Sequence, residues 1–115
     1  MQATPRFLNG VFAFAGTGYD KPVKISDGLS YVVPADKRTQ LIYLRAGNSC
    51  AELIYVVLMR DGKPMRYFPI GAKGDVHVAL RVVEDLDSGT AVELHLAAPA
   101  GVTGTLIVDL GLVEV

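Results

Sequence analysis

The sequence predicts an all-β fold, an antiparallel β-sandwich of about eight or nine short strands. Two features predict it. Apolar residues alternate with polar ones or run in short blocks rich in Val, Ile, Leu and Tyr, with almost no 3.6-residue periodicity. Gly, Pro, Asn or Asp interrupts those blocks every ten residues or so, the spacing of strands joined by turns. At 115 residues, with 12 Gly and no dividing linker or repeat, the chain reads as one domain over residues 1–115. A chain of this size buries roughly two-thirds of its unfolded surface and sustains its own core.

The strands follow from the punctuation. Residues 7–15 form the first, closed by Gly16-Thr17-Gly18. Short pieces at 22–25 and 29–33 follow, then 40–46 beyond the polar stretch 34–39. Residues 53–60 and 64–70 flank Asp61-Gly62, a pair that supplies the two positive φ angles of a type I′ hairpin turn. Residues 76–83 and 91–97 flank the loop Asp85-Leu86-Asp87-Ser88-Gly89, and 104–115 completes the set with a kink expected at Gly111.

The central hairpin is the most informative stretch. A two-residue turn sets Arg60 opposite Lys63, Met59 opposite Pro64, Leu58 opposite Met65, Val56 opposite Tyr67 and Tyr55 opposite Phe68. Pro64 cannot donate a ladder hydrogen bond, so its strand is expected to be a sheet edge or to break pairing near Pro64. In that register one face carries Ile54, Val56, Leu58, Met65 and Tyr67. The other carries Tyr55, Val57, Met59 and Phe68, with Arg66 as its polar residue. A strand apolar on both faces needs a second cover: a loop of its own chain, another subunit or a bound apolar ligand. Tyr55, Val57, Met59, Arg66 and Phe68 are therefore the candidate interface or ligand-binding residues.

Composition narrows the function classes. Eleven Lys and Arg against twelve Asp and Glu leave a formal charge of -1, and no basic cluster marks a nucleic-acid or anionic-membrane surface. The longest apolar run, Leu53 to Met59, is far too short to span a bilayer as a helix. The N-terminus shows no basic-then-apolar signal pattern and the single cysteine forms no intrachain disulfide, so a cytoplasmic protein is expected.

No catalytic or cofactor motif is complete. His77 and His95 are the only histidines. If residues 76–83 and 91–97 pair with Val82 opposite Val92, His77 becomes a diagonal neighbour of His95, and Arg81 lies opposite Glu93. Two imidazoles then sit together but lack a third metal ligand. Cys50 has no base nearby in sequence, and a copper site of the Cys-His-Met kind fails on spacing. Glu84, Asp85 and Asp87 crowd one turn without the ligand number calcium needs. Gly16-Thr17-Gly18 and Gly71-Ala72-Lys73-Gly74 open no helix and cradle no phosphate. Tyr31, Tyr43, Tyr55 and Tyr67 are the right residue type to floor a carbohydrate groove, although no Trp accompanies them. No cofactor or metal is expected.

The strand pattern resembles immunoglobulin-like and jelly-roll sandwiches, a likeness that implies a fold and no activity. The expected function is a small non-catalytic binding or structural module that self-associates through the Tyr55 face as a homo-oligomer, with a further protein partner possible and neither nucleic acid nor membrane engaged. The alternative is a β-sandwich that binds a small ligand, a carbohydrate or an apolar metabolite. A third reading is a metal-dependent enzyme or metalloprotein drawing on His77, His95, Asp75 or Cys50.

Overall fold

Period-two burial runs along the long strands and sorts their side chains into a core and two outer faces. In the computed structural model, which describes residues 3–80 and 85–115, the strands are β1 (Thr4–Ala15), β2 (Val23–Lys24), β3 (Ser30–Val32), β4 (Thr39–Asn48), β5 (Ile54–Arg60), β6 (Lys63–Ile70), β7 (Asp75–Ala79), β8 (Asp85–Leu86), β9 (Ala91–Ala97) and β10 (Thr103–Glu114). One sheet has the order β1-β10-β4-β7, with β8 also on β4. The other runs β2-β9-β5-β6, with β3 also on β9. The described pairings are antiparallel.

The fold is an all-β antiparallel sandwich. Leu44 of β4, Leu106 and Leu110 of β10, Ile54 and Leu58 of β5, and Leu94 and Leu96 of β9 meet in one core drawn from both sheets. Each such side chain contributes about 1.5–3 kcal/mol by leaving water. The only helical turn among the described residues is Asp27–Leu29, capped where the Gly28 amide donates to Ser26 Oγ at 3.1 Å. No helix there is long and apolar enough to cross a membrane.

The Asp61-Gly62 turn forms as expected, with φ of 49° and 80°. Arg60 faces Lys63, Met59 faces Pro64, and β6 lies at the edge of its sheet. Beyond that point the register slips by one residue, leaving Met65 as a bulge. Val56 therefore faces Phe68 and Val57 faces Tyr67, which exchanges the faces expected for Phe68 and Tyr67. Phe68 joins the core and Tyr67 points outward. A second slip, between Gly111 and Leu112, leaves Ile42 of β4 as the extra residue, while β10 itself pairs with β1 without a break through Gly111, so the kink expected there does not form.

The pairing expected for residues 76–83 with 91–97 does not form over the described part of the first segment, residues 76–80. β7 pairs with β4 and β9 with β5, so His77 and His95 stand in different sheets. Arg81 and Val82 lie outside the described residues.

The end of β10 is locked by a buried carboxylate. Glu114, 3% exposed, accepts a 2.5 Å hydrogen bond from the Tyr31 hydroxyl and pairs with Arg6 Nε at 3.2 Å. The Tyr31 bond chiefly holds the carboxyl below its ordinary value; burial opposes this and Arg6 assists. A depressed carboxyl stabilises the fold above the unfolded pKa of about 4.3, and that stability is lost as pH falls through the folded value. Glu114→Gln is expected to flatten the acid limb of a Tm-versus-pH profile; an unchanged limb would assign acid sensitivity elsewhere.

Candidate functional site

The outer face of the first sheet carries a polar row set by strand register. Asn9 of β1 lies beside Asp109 of β10, Asp109 beside Arg45 of β4, and Arg45 beside His77 of β7. Alternation alone puts all four on one face, and antiparallel pairing aligns them across four strands. Arg45 Nη2 meets Asp109 Oδ2 at 2.7 Å, the Tyr43 hydroxyl donates to the same oxygen at 3.0 Å, and Asn9 Nδ2 reaches Oδ1 at 3.5 Å. The Arg45 guanidinium lies 5.3 Å from the Tyr43 ring centre, and His77 meets that ring edge-on at 6.2 Å.

Burial alone would raise the Asp109 carboxyl, but the donors on it, Arg45 first, hold it below its ordinary value. Burial and the bond to Asp109 push the Tyr43 hydroxyl upward. The carboxylate thus stays charged and the phenol stays protonated, which keeps the row in one hydrogen-bonded arrangement.

Beside the row lies an apolar ledge. Val11 and Ile107, 67% and 58% exposed, are cross-strand neighbours, and the next position along is Gly47. A methyl on Gly47 would meet nothing within 4 Å, so the missing side chain leaves a hollow. The row, ledge and hollow line an open groove of about 650 Å³. Its chemistry is that of binding: donors and acceptors held rigid next to exposed aliphatic surface.

The outer face of the second sheet holds the residues expected from sequence. Tyr55, Val57 and Met59 lie there, yet Val57 is 0% exposed within the single chain. Part of the cover comes from the segment after β1. Tyr19 stacks on Tyr55 at 6.5 Å and accepts the Tyr55 hydroxyl on its carbonyl at 2.6 Å, while its own hydroxyl donates to the Leu53 carbonyl. Tyr67 leans against Tyr55 at 5.5 Å. Arg66, opposite Leu58, is half-buried. The five candidate residues therefore do not form one surface, because Phe68 faces the core.

The remaining candidates separate. His95 meets Glu93 at 3.3 Å, and Glu93 also pairs with Lys24 at 2.9 Å; Lys24 first and His95 second hold that carboxyl below its ordinary value. Cys50 is buried, its thiol 3.3 Å from the Glu52 carbonyl. Asp85 and Asp87 are engaged by Arg38, and Glu84 lies outside the described residues. Among the described residues no three His, Cys, Asp or Glu side chains gather to hold a metal. Of the four tyrosines, Tyr31 is tied to Glu114 and Tyr43 sits on the first sheet, leaving Tyr55 and Tyr67 adjacent. Sequence reasoning missed Asn9, Arg45 and Asp109, whose alternation becomes a site only once strand order is known.

No protein-family model matches this chain, and no curated protein matches it in sequence. Among solved structures the chain is similar to the CBM36-1 domain of a multidomain xylanase from the hindgut metagenome of Trinervitermes trinervoides. The TM-score is 0.57 at 14% identity, over 96% of each chain. At a TM-score of 0.41 and 14% identity it also aligns with an exo-beta-1,3-galactanase from Phanerochaete chrysosporium, spanning 30% of that longer chain. The first likeness establishes the sandwich fold.

Proposed function

We propose that the chain is a non-catalytic carbohydrate-binding module that takes a saccharide in the groove of the first sheet. The observation that carries this reading is the aligned row Asn9, Asp109, Arg45 and His77 beside the Val11 and Ile107 ledge. Arg45 and Asp109 neutralise each other at 2.7 Å, so the row offers directed hydrogen bonds without a strong net field. That suits a neutral ligand better than an ion. Neutral, polyhydroxylated and apolar on its C–H faces describes a sugar ring, whose hydroxyls meet the row while its faces meet the Val11 and Ile107 ledge. The likeness to a domain of a xylanase supports the same ligand class.

Self-association through the Tyr55 face is a weaker reading, since one chain already buries Val57 and Phe68.

The test is affinity electrophoresis through gels containing soluble xylan, mannan, β-glucan or galactan. The wild-type protein is expected to be retarded by at least one of them. Arg45→Ala changes an exposed side chain and leaves the strand intact, and it is expected to weaken groove binding about tenfold or more. A wild-type protein that migrates freely in every gel overturns the reading. So does an Arg45→Ala variant that is retarded fully and equally on every ligand, including short oligosaccharides.

A further inference from the structure

The outer face of the second sheet has its own aligned row: Tyr67 of β6, Val57 of β5, His95 of β9 and Lys24 of β2. Three strand spacings, about 14 Å, separate its ends. Val57 is fully buried and forms a floor, Tyr67 stands 59% exposed at one end, and Tyr19 remains 44% exposed where it stacks on Tyr55. At the other end Glu93 joins Lys24 at 2.9 Å and His95 at 3.3 Å. Lys24 also meets Asp27 Oδ1 at 3.0 Å, so two carboxylates share this one cation and each charge there is already paired. This surface presents ring faces at one side and fixed hydrogen-bonding groups at the other. That is again the chemistry of a neutral sugar, here on a platform in place of a groove.

We propose that this platform is a second glycan-contact surface. Because the two sheets pack back to back on one core, it faces away from the groove, and a single chain holds two polysaccharide strands at once. The inference rests on the carbohydrate-binding reading above. Tyr67 and Tyr19 take pyranose faces, while Glu93, His95 and Lys24 take hydroxyls. Two sites on opposite faces bridge separate strands and add avidity on polymers, with no gain on short oligosaccharides.

The experiment uses the full chain with whichever soluble polysaccharide retards it, in two measurements. Affinity electrophoresis reads binding, and light scattering of the mixture, against each component alone, reads bridging. The wild-type protein is expected to raise scattering at an intermediate protein-to-polymer ratio and to lose that rise in excess protein. Tyr67→Ala alters an exposed ring. It is expected to abolish the rise and to weaken retardation by the polymer about threefold to tenfold, while binding of a short oligosaccharide in the groove is unchanged. Tyr67→Phe keeps the ring and is expected to keep the bridging. Since the chain has five Tyr and no Trp, a ligand-induced tyrosine difference spectrum is expected to persist in Arg45→Ala and to shrink in Tyr67→Ala. Retardation without any rise in scattering, or a Tyr67→Ala variant that scatters like wild type, overturns the second surface and leaves the groove reading standing. Absence of retardation in every polysaccharide overturns both.

Discussion

Val57→Lys is expected to unfold the protein. Position 57 lies on the outer side of β5, where a sandwich strand ordinarily meets water, yet Val57 has no exposed surface. His95 and Tyr67 flank it across the sheet, and Tyr55 and Met59 stand two residues away along the strand on the same side. A lysine there has no route for its ammonium except by pushing those side chains apart. Its stem overfills a packed site, and its charge loses water at a position that has no exposed surface. The combined cost is about 4 kcal/mol or more, a large part of the 5–15 kcal/mol that holds a domain of this size. The expected result is a fall in Tm of about 15 °C or more, or loss of the strand signal at room temperature, read by circular dichroism. Val57→Ala removes two methyl groups without adding charge and is expected to remain folded. A Val57→Lys protein that stays folded with an unchanged Tm would mean that the side chains around position 57 part to admit the lysine at little cost.

The contrast between the two outer faces shows which parts of the fold were legible in sequence and which were not. Alternation and turn chemistry are local properties, and they located nine strand segments and the Asp61-Gly62 turn. The edge position of β6 followed from Pro64, whose missing N–H excludes it from a central ladder. Pro64 also marked a break in pairing nearby, but nothing local gave the one-residue slip at Met65 that the break takes. That bulge inserts one residue and inverts every later side chain, which moved Phe68 into the core and Tyr67 to the surface. Strand order was equally hidden. β7 and β9 are joined by a turn-like segment in sequence, yet they belong to different sheets, so the proposed neighbourhood of His77 and His95 dissolved. The groove depends on the same non-local information. Asn9 and Asp109 are 100 positions apart, and only the pairing of β1 with β10 joins them. Tyr19, which covers Tyr55, sits in a segment whose glycines predicted a turn and whose side chains gave no sign of a destination.

Gly111→Ala is expected to weaken saccharide binding in the groove more than about tenfold while preserving the sandwich. Gly111 faces Tyr43 across β10 and β4, and the Tyr43 ring lies directly over the glycine. A Cβ built at that position would stand 2.1 Å from the Tyr43 Cε2 atom and 2.7 Å from two more ring atoms, closer than non-bonded carbons approach. An isolated ring would simply rotate away. This one is held by its hydroxyl on Asp109, by Arg45 over its face and by His77 at its edge. Moving it therefore disturbs the Asp109 donors and the Arg45 position together. Overpacking of this kind costs about 1–3 kcal/mol, which a domain with a continuous core tolerates. The binding effect is larger than that of Arg45→Ala, because it removes the arrangement and not one member of it. Affinity for a short oligosaccharide, read by titration calorimetry, is expected to fall more than about tenfold, with the strand signal intact. Combining Gly111→Ala with Tyr43→Ala separates the two roles. Removing the ring makes room for the methyl and is expected to recover part of the lost stability, the signature of coupled neighbours. Binding is not recovered, because Asp109 then lacks its Tyr43 donor and Arg45 the ring it packs on. A Gly111→Ala protein that binds like wild type would show that the Tyr43 ring can leave the row without consequence, and the groove would lose its claim as the binding site.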